Sequence, residues 1–179
     1  ITKKTKCIIP VHLYGNPCEM DKIVEISNNY GLQILEDCSQ SHFAKYKGEN
    51  VGSFGQISAY SFYPSKNLTV GGDGGIVVTN NDKLADIVRV YRNHGRKTKY
   101  EHIHVGYNYR FNEIQAAIGL NQLSLIESFT NKRIENANYY KQKLKLCKTI
   151  KVVDKTPNST PVYHLFVIRT KSRNKLADY

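Results

Sequence analysis

No apolar run in this chain approaches the length that a helix needs to cross a bilayer. None follows the opening Ile1-Thr-Lys-Lys-Thr-Lys6 either, so no secretory leader is expected there. The four cysteines, Cys7, Cys18, Cys38 and Cys147, are widely spaced, and no Cys-x-x-Cys pair occurs. That excludes the common zinc and redox motifs and favours reduced thiols in a cytoplasmic protein. Internal repeats and low-complexity tracts are missing too. Acidic residues are the scarcer charge, 15 against 26 lysines and arginines, for a net charge of +11. Such a balance raises nucleic-acid binding as a rival reading. The basic residues, however, are scattered or fall on predicted helix faces between Lys132 and Lys155, and no nucleic-acid module is present. A solvated lysine-rich surface accounts for them, and neither nucleic acid nor membrane is the expected partner.

What is present suffices for one domain with a real core: 179 residues, 40% of them hydrophobic. Two stretches carry chemistry. In Ser58-Ala-Tyr-Ser61-Phe-Tyr-Pro-Ser-Lys66-Asn-Leu-Thr-Val-Gly71-Gly-Asp-Gly-Gly75, an alternating aromatic run ends at a proline. One lysine follows, then a glycine-rich loop and the apolar run Ile76-Val-Val-Thr79. This reads as strand, tight loop, strand. It holds an amine on a short leash, and lysine is the side chain that forms Schiff bases, typically with pyridoxal phosphate (PLP). By itself Lys66 also reads as a surface charge. The second stretch, Leu32-Gln-Ile-Leu-Glu36-Asp37-Cys-Ser-Gln40-Ser-His42, is a short apolar strand ending in carboxylates. PLP needs an acid against its pyridine nitrogen. Asp37 stands at the carboxyl end of a strand, where such an acid belongs in an α/β sheet. Alone, it reads first as a helix N-cap.

Together these stretches resemble the DegT/DnrJ/EryC1/StrS aminotransferases, which aminate keto-sugars carried on nucleotides. The matching residues are Val11-His-Leu-Tyr-Gly15, Glu36-Asp37-Cys-Ser-Gln40-Ser-His42, Tyr46-Lys-Gly48, Val51-Gly-Ser-Phe-Gly55 and Ser61-Phe-Tyr-Pro-Ser-Lys66-Asn67. Gly72-Asp-Gly-Gly75, Arg92-Asn-His-Gly95, Gly106-Tyr-Asn-Tyr-Arg110 and Glu113-Ile-Gln-Ala-Ala117 follow in the family's order. One departure is Phe43, where the family usually has glycine. Members are roughly twice this length, so the resemblance implies an internal fragment. It would lack an N-terminal part that supplies backbone amides to the PLP phosphate and an aromatic ring that stacks on the cofactor. Such a fragment is expected to be inactive alone. The implied fold is α/β, PLP-dependent transferase fold type I (aspartate-aminotransferase-like), with a mostly parallel sheet and helices on both faces. Residues 1–129 would be part of the large PLP-binding domain, 130–150 a connecting helix, and 151–179 the start of the C-terminal small domain.

Along the chain, residues 7–14 read as a strand and 19–30 as a helix stopped by Gly31. Residues 33–36 form the next strand, and the three make a right-handed βαβ unit with parallel strands. Residues 42–55 read as an irregular excursion or hairpin turning at Tyr46-Lys-Gly48. Strands are expected at 57–62 and 75–79. Asn80-Asn-Asp82 should cap a helix over 83–91, and 92–106 reads as loop. Residues 112–128 predict an amphipathic helix burying Ile114, Ala117, Ile118, Leu120 and Leu123. A separate polar helix is expected over 130–146, a strand over 162–168, and a further helix at the end.

By the resemblance, Lys66 is the Schiff-base lysine and later the general base, and a lysine here argues against the family's dehydratase branch. Asp37 partners the pyridine nitrogen. Gln40, on the same side if its segment is helical, bonds the cofactor 3-hydroxyl or lines the ring; it also reads as a plain loop residue. Ser61 holds the PLP phosphate, unless it is a solvent-facing strand serine. Asn67 adjoins the lysine as a further candidate. Asn108 reaches the phosphate of a neighbouring subunit, which implies a homodimer with shared sites; it also reads as a turn residue before a helix. His12 and Tyr14 either line the substrate pocket or pack, and His42 and His94 are equally open. The expected reaction passes an amino group from glutamate or glutamine to the keto-sugar of a nucleotide-diphosphate sugar, a dianion that the positive field would favour. Its setting would be cell-surface polysaccharide or deoxyaminosugar biosynthesis. The rivals are a cyclitol or other keto substrate, and a non-catalytic regulatory or nucleic-acid-binding relative.

Overall fold

A computed structural model describes residues 1–179. Strand β1 (Cys7–Ile8), helix α1 (Met20–Tyr30) and strand β2 (Gln33–Asp37) form the expected parallel unit. A hairpin of β3 (Lys45–Tyr46) and β4 (Glu49–Asn50) follows, then β5 (Ile57–Ser61) and β6 (Gly75–Val78). The main sheet runs β1-β2-β5-β6, with β1, β2 and β5 parallel and β6 antiparallel at the edge. The sheet is therefore mixed, and mostly parallel.

β1 is shorter than the predicted 7–14. Pro10 cannot donate to the ladder, so only Val11 bridges onward, to Asp37. Tyr14 then turns the chain at a φ of 64° within a 3₁₀ turn, Leu13–Gly15. At the end of α1, Gly31 adopts the left-handed conformation expected of a stop. The hairpin turns on Lys47 and Gly48, both at positive φ, as a two-residue primed turn requires. Phe43 takes a φ of 64°, so the backbone keeps a conformation suited to glycine although the residue differs.

Helix α2 (Asp82–Tyr91) is capped by Asn81, whose side chain accepts the Leu84 N–H. α3 (Glu113–Leu144) is one continuous helix of 32 residues, not the two expected. No glycine or proline interrupts it after Gly119, and Asn112 caps its start through the Gln115 N–H. Its predicted apolar face is not buried either: Ile114 is 77% exposed and Leu120 70%. The glycine loop lies against Ile118 and Gly119, but most of the stripe stays exposed; Ile126, Thr130 and Ala137 are the positions that are buried.

Strands β7 (Lys151–Val152), β8 (Ser159–Thr160) and β9 (Ile168–Arg169) and helix α4 (Arg173–Asp178) complete the chain. The predicted strand over 162–168 does not form. Val162 instead lies at 0% exposure in the core with Met20, Ile34, Cys38, Ala44, Tyr46 and Val51. β8 joins β3 on the side opposite β4, so the chain returns onto its first half. No helix is long and apolar enough to cross a membrane.

Glu36 fixes how the sheet meets its neighbouring loop. It is fully buried and accepts backbone N–H groups from Gly52 (2.7 Å), Phe54 (2.8 Å) and Gly55 (2.7 Å). Its fourth partner is His12 Nε2 at 3.1 Å. The Cys18 N–H donates to His12 Nδ1 (3.0 Å), so the ring proton sits on Nε2 and points at the carboxylate. A Cβ on Gly52 would collide with the Tyr60 hydroxyl, and one on Gly55 would sit 2.7 Å from the Ile34 carbonyl. Burial pushes the Glu36 carboxyl up, but the bonds from His12, Gly52 and Gly55 outweigh it and hold it below its ordinary value.

Glu36→Gln should cost about 3 kcal/mol in urea unfolding, since an amide nitrogen would face donors that need an acceptor. Because the folded value is depressed, the native carboxylate contributes stability above the unfolded value near 4.5. That contribution is lost as pH falls through the folded value, and the variant should lack this acid limb.

Candidate functional site

The elements converge at the carboxyl ends of β2 and β5. These strands are parallel neighbours with Asp37 opposite Ala59, so Asp37 and the chain leaving Ser61 emerge at one edge. Asp37 does not cap a helix: residues 38–43 turn irregularly, and its carboxylate accepts the Ser39 N–H at 2.9 Å. Gln40 therefore lacks the expected helical placement. Its side-chain oxygen accepts the Tyr14 N–H (2.6 Å), while its Nε2 makes no bond within the chain. Ser61 ends β5, and its Oγ accepts the Tyr63 N–H at 3.3 Å, leaving the hydroxyl proton free to donate.

Lys66 follows in a turn closed by its own N–H on the Tyr63 carbonyl (2.8 Å), with Pro64 at the position that favours it. The lysine is half-buried, and its amine has no hydrogen-bond or ion-pair partner within the chain. Asn67 is 6% exposed; its Nδ2 donates to the Val162 carbonyl (3.1 Å) and its Oδ1 faces His164 Nδ1 (3.3 Å). Gly15 accommodates the same junction, since a Cβ there would press on Val162 at 2.8 Å and the Gln40 carbonyl at 2.9 Å.

His42 is buried against β5 and the residue that follows it. Its ring packs on Tyr60 (5.4 Å) and Phe62 (6.0 Å), and neither ring nitrogen has a hydrogen-bond partner. Burial, and then the charges of His164 and Lys66, push its pKa down to about 4, although the nearby Ser61 carbonyl opposes the shift. The Ser41 hydroxyl is likewise buried without a partner.

The structure thus brings Asp37, Gln40, Ser61 and Lys66 to one sheet edge. Asn108 stands apart: it is exposed, accepts Arg110 Nε at 3.1 Å, and bridges only Asn93. His12 lines no pocket, being consumed in the bond to Glu36. Glu36, Asn67 and His164 complete the arrangement. Glu36 shares the strand phase of buried Ile34 and so left a signal in the sequence, whereas His164 lies too far along the chain to have left one.

A family model of the DegT/DnrJ/EryC1/StrS aminotransferases matches residues 1–178. The chain is 40% identical over 179 residues to dTDP-3-amino-3,4,6-trideoxy-alpha-D-glucose transaminase of Streptomyces venezuelae, covering 100% of this chain and 47% of that one. Among solved structures, S. venezuelae DesV in complex with a ketimine intermediate superposes with a TM-score of 0.96 at 41% identity, over 99% of this chain and 48% of that one. E. coli GDP-4-keto-6-deoxy-D-mannose-3-dehydratase with bound hydrated PLP gives a TM-score of 0.90 at 27% identity, over 99% and 51%. The chain spans about half the length of the curated relatives it matches.

A histidine that is neutral when folded binds its proton more readily unfolded, so stability should rise with pH between about 4 and 6.5. His42→Phe should remove much of that slope, about 2 kcal/mol between urea titrations at pH 5 and pH 7. The smaller part due to His164, shifted the same way by burial, Lys66 and Arg133, should remain.

Proposed function

The chain belongs to the DegT/DnrJ/EryC1/StrS aminotransferase family and has the α/β fold of the type I PLP-dependent aminotransferases; on that premise we propose that the whole protein is a PLP-dependent aminotransferase. It would pass an amino group from glutamate or glutamine to a keto-sugar on a nucleotide diphosphate. The observation that carries this reading is Lys66, an unpartnered amine in the turn that follows β5, on the strand next to the one that ends in Asp37. The donor set fits the cofactor: one amine, one carboxylate with an oxygen to spare, a serine hydroxyl, and buried polar atoms on Ser41 and His42 that lack partners.

Bound there, PLP supplies an aldehyde carbon for an amine and a ring that delocalises electrons from the substrate carbon. Asp37 would hold the pyridine nitrogen through its free carboxylate oxygen, Ser61 Oγ–H would hold the phosphate, and Gln40, its oxygen held by Tyr14, would offer its amide N–H to the 3-oxygen. Lys66 would hold the cofactor through its amine, which when free would move a proton at the substrate carbon.

The remainder of the reading extends to assembly. Asn108, exposed and away from the Lys66 cluster, would serve the phosphate site of a second copy in a homodimer. The uncovered apolar stripe of α3 accords with such an interface. Residues 1–129 would belong to the large domain, 130–150 to a connecting helix and 151–179 to the start of the small domain, in a cytoplasmic protein.

Full-length protein should show the visible absorbance of bound PLP, and borohydride should fix the cofactor to the peptide containing Lys66. A label on Lys47 or Lys83 instead would sink the assignment, and Lys66→Ala should abolish turnover. For the shared site, inactive Lys66→Ala and Asn108→Ala proteins are mixed and allowed to exchange subunits. Partial recovery of activity is expected, because one site of each hybrid then carries no defect. No recovery despite proven exchange refutes the cross-subunit role.

A further inference from the structure

Val162 turns both of its backbone polar groups to the segments that carry the candidate site. Its N–H donates to the Gly15 carbonyl (2.9 Å), and its carbonyl accepts from Asn67 Nδ2 (3.1 Å). A carbonyl can only accept, so this bond fixes which end of the Asn67 amide faces it. The other end, Oδ1, lies 3.3 Å from His164 Nδ1 in the same returning segment. Asn67 is 6% exposed and Val162 0%, so a Val162 carbonyl stripped of this donor would stay buried without one.

The Gly15 end of the bridge leads to Gln40. One residue earlier, the Tyr14 N–H holds the Gln40 side-chain oxygen at 2.6 Å, and the Leu165 N–H returns to the Tyr14 carbonyl at 3.4 Å. Gly15 has no room to shift, as its contacts with Val162 and the Gln40 carbonyl show. The turn with Lys66 and the turn that holds Gln40 are therefore fastened to one residue, 95 positions beyond Asn67. The other backbone bonds of the lysine loop are internal to it: the Lys66 N–H on the Tyr63 carbonyl (2.8 Å) and the Val70 N–H on the Phe62 carbonyl (3.4 Å). The Lys66 amine has no partner of its own, so its reach depends on how that loop is held.

We propose that Asn67 is a positioning residue for Lys66: by fastening the lysine turn to Val162, it sets where the amine stands relative to the Gln40 amide. The inference rests on Lys66 being the reactive amine of the proposed function, and adds the residue that orients it in advance. The step it serves is balanced without an oxidant or reductant. The Lys66 nitrogen adds to the aldehyde carbon of PLP, and the aldehyde oxygen leaves as water with the two amine protons.

The test uses full-length protein freed of cofactor and two probes. One is PLP at saturating concentration. The other is 4-deoxypyridoxine phosphate, whose methyl group in place of the aldehyde cannot bond to lysine. Asn67→Ala should take PLP onto Lys66 about tenfold more slowly, the effect of one lost hydrogen bond on placement; visible absorbance and borohydride fixation follow the rate. The variant should bind the analogue as tightly as the parent, because that needs no placed amine. Equal PLP rates overturn the proposal. So does an analogue affinity that falls as far as the PLP rate, since a general loss of structure would do that. In the parent, the Asn67 side-chain amide protons should exchange slowly with solvent, and exchange as fast as a free amide's overturns the proposal even if the variant does not fold. A parent that takes no PLP on Lys66 refutes the aminotransferase reading instead, while the exchange result still reports on the Asn67 bond.

Discussion

One buried carboxylate sets the frame on which the site hangs. Glu36 has no water to solvate it and would be costly in the core unless every acceptor position were used. Three backbone N–H groups and the His12 ring meet that demand. Satisfying it ties the 52–55 loop to β2, and His12 ties the first turn to the same atom pair. Because Glu36 and Asp37 are adjacent on a strand, inward fixation of one directs the other toward the opposite face. The carboxylate available for chemistry thus owes its orientation to one that has none to spare.

The second constraint is the return of the chain. Residues 159–164 pair with β3, insert Val162 into the core and fasten to the lysine turn through Asn67. Lys66 is consequently gripped from two directions, by the β5 turn before it and the returning segment after it. Such double fixation suits an amine that must meet one carbon atom repeatedly, because misplacement by even an ångström is expensive in rate. Burial first, and then nearby positive charge, hold both neighbouring histidines, His42 and His164, below their ordinary values.

Much of this was legible in the sequence. The βαβ unit, the lysine loop, the hairpin turn at Lys47-Gly48 and the cap at Asn81 follow from short-range chemistry: apolar alternation, glycine at positive φ, and a side chain that accepts a backbone N–H. The helix break expected at residue 129 does not occur, because a polar stretch without glycine or proline gives a helix no reason to stop. The strand expected over 162–168 failed for another reason. β-branched and aromatic residues there are held by Asn67, Gly15 and the core rather than by a neighbouring strand, and burial overrode propensity.

The sequence by itself determined the local elements and the type of sheet, and marked Lys66 and Asp37 as the candidate amine and acid, because each follows from patterns within a single strand, turn or helix. Tertiary structure alone decided that Glu36 turns inward and Asp37 outward, that Gln40 spends its oxygen on Tyr14, and that His164 arrives beside Asn67. Those are contacts between distant segments, 97 residues apart for the Asn67–His164 pair. No periodicity records them, because they are fixed by the packing of the whole chain.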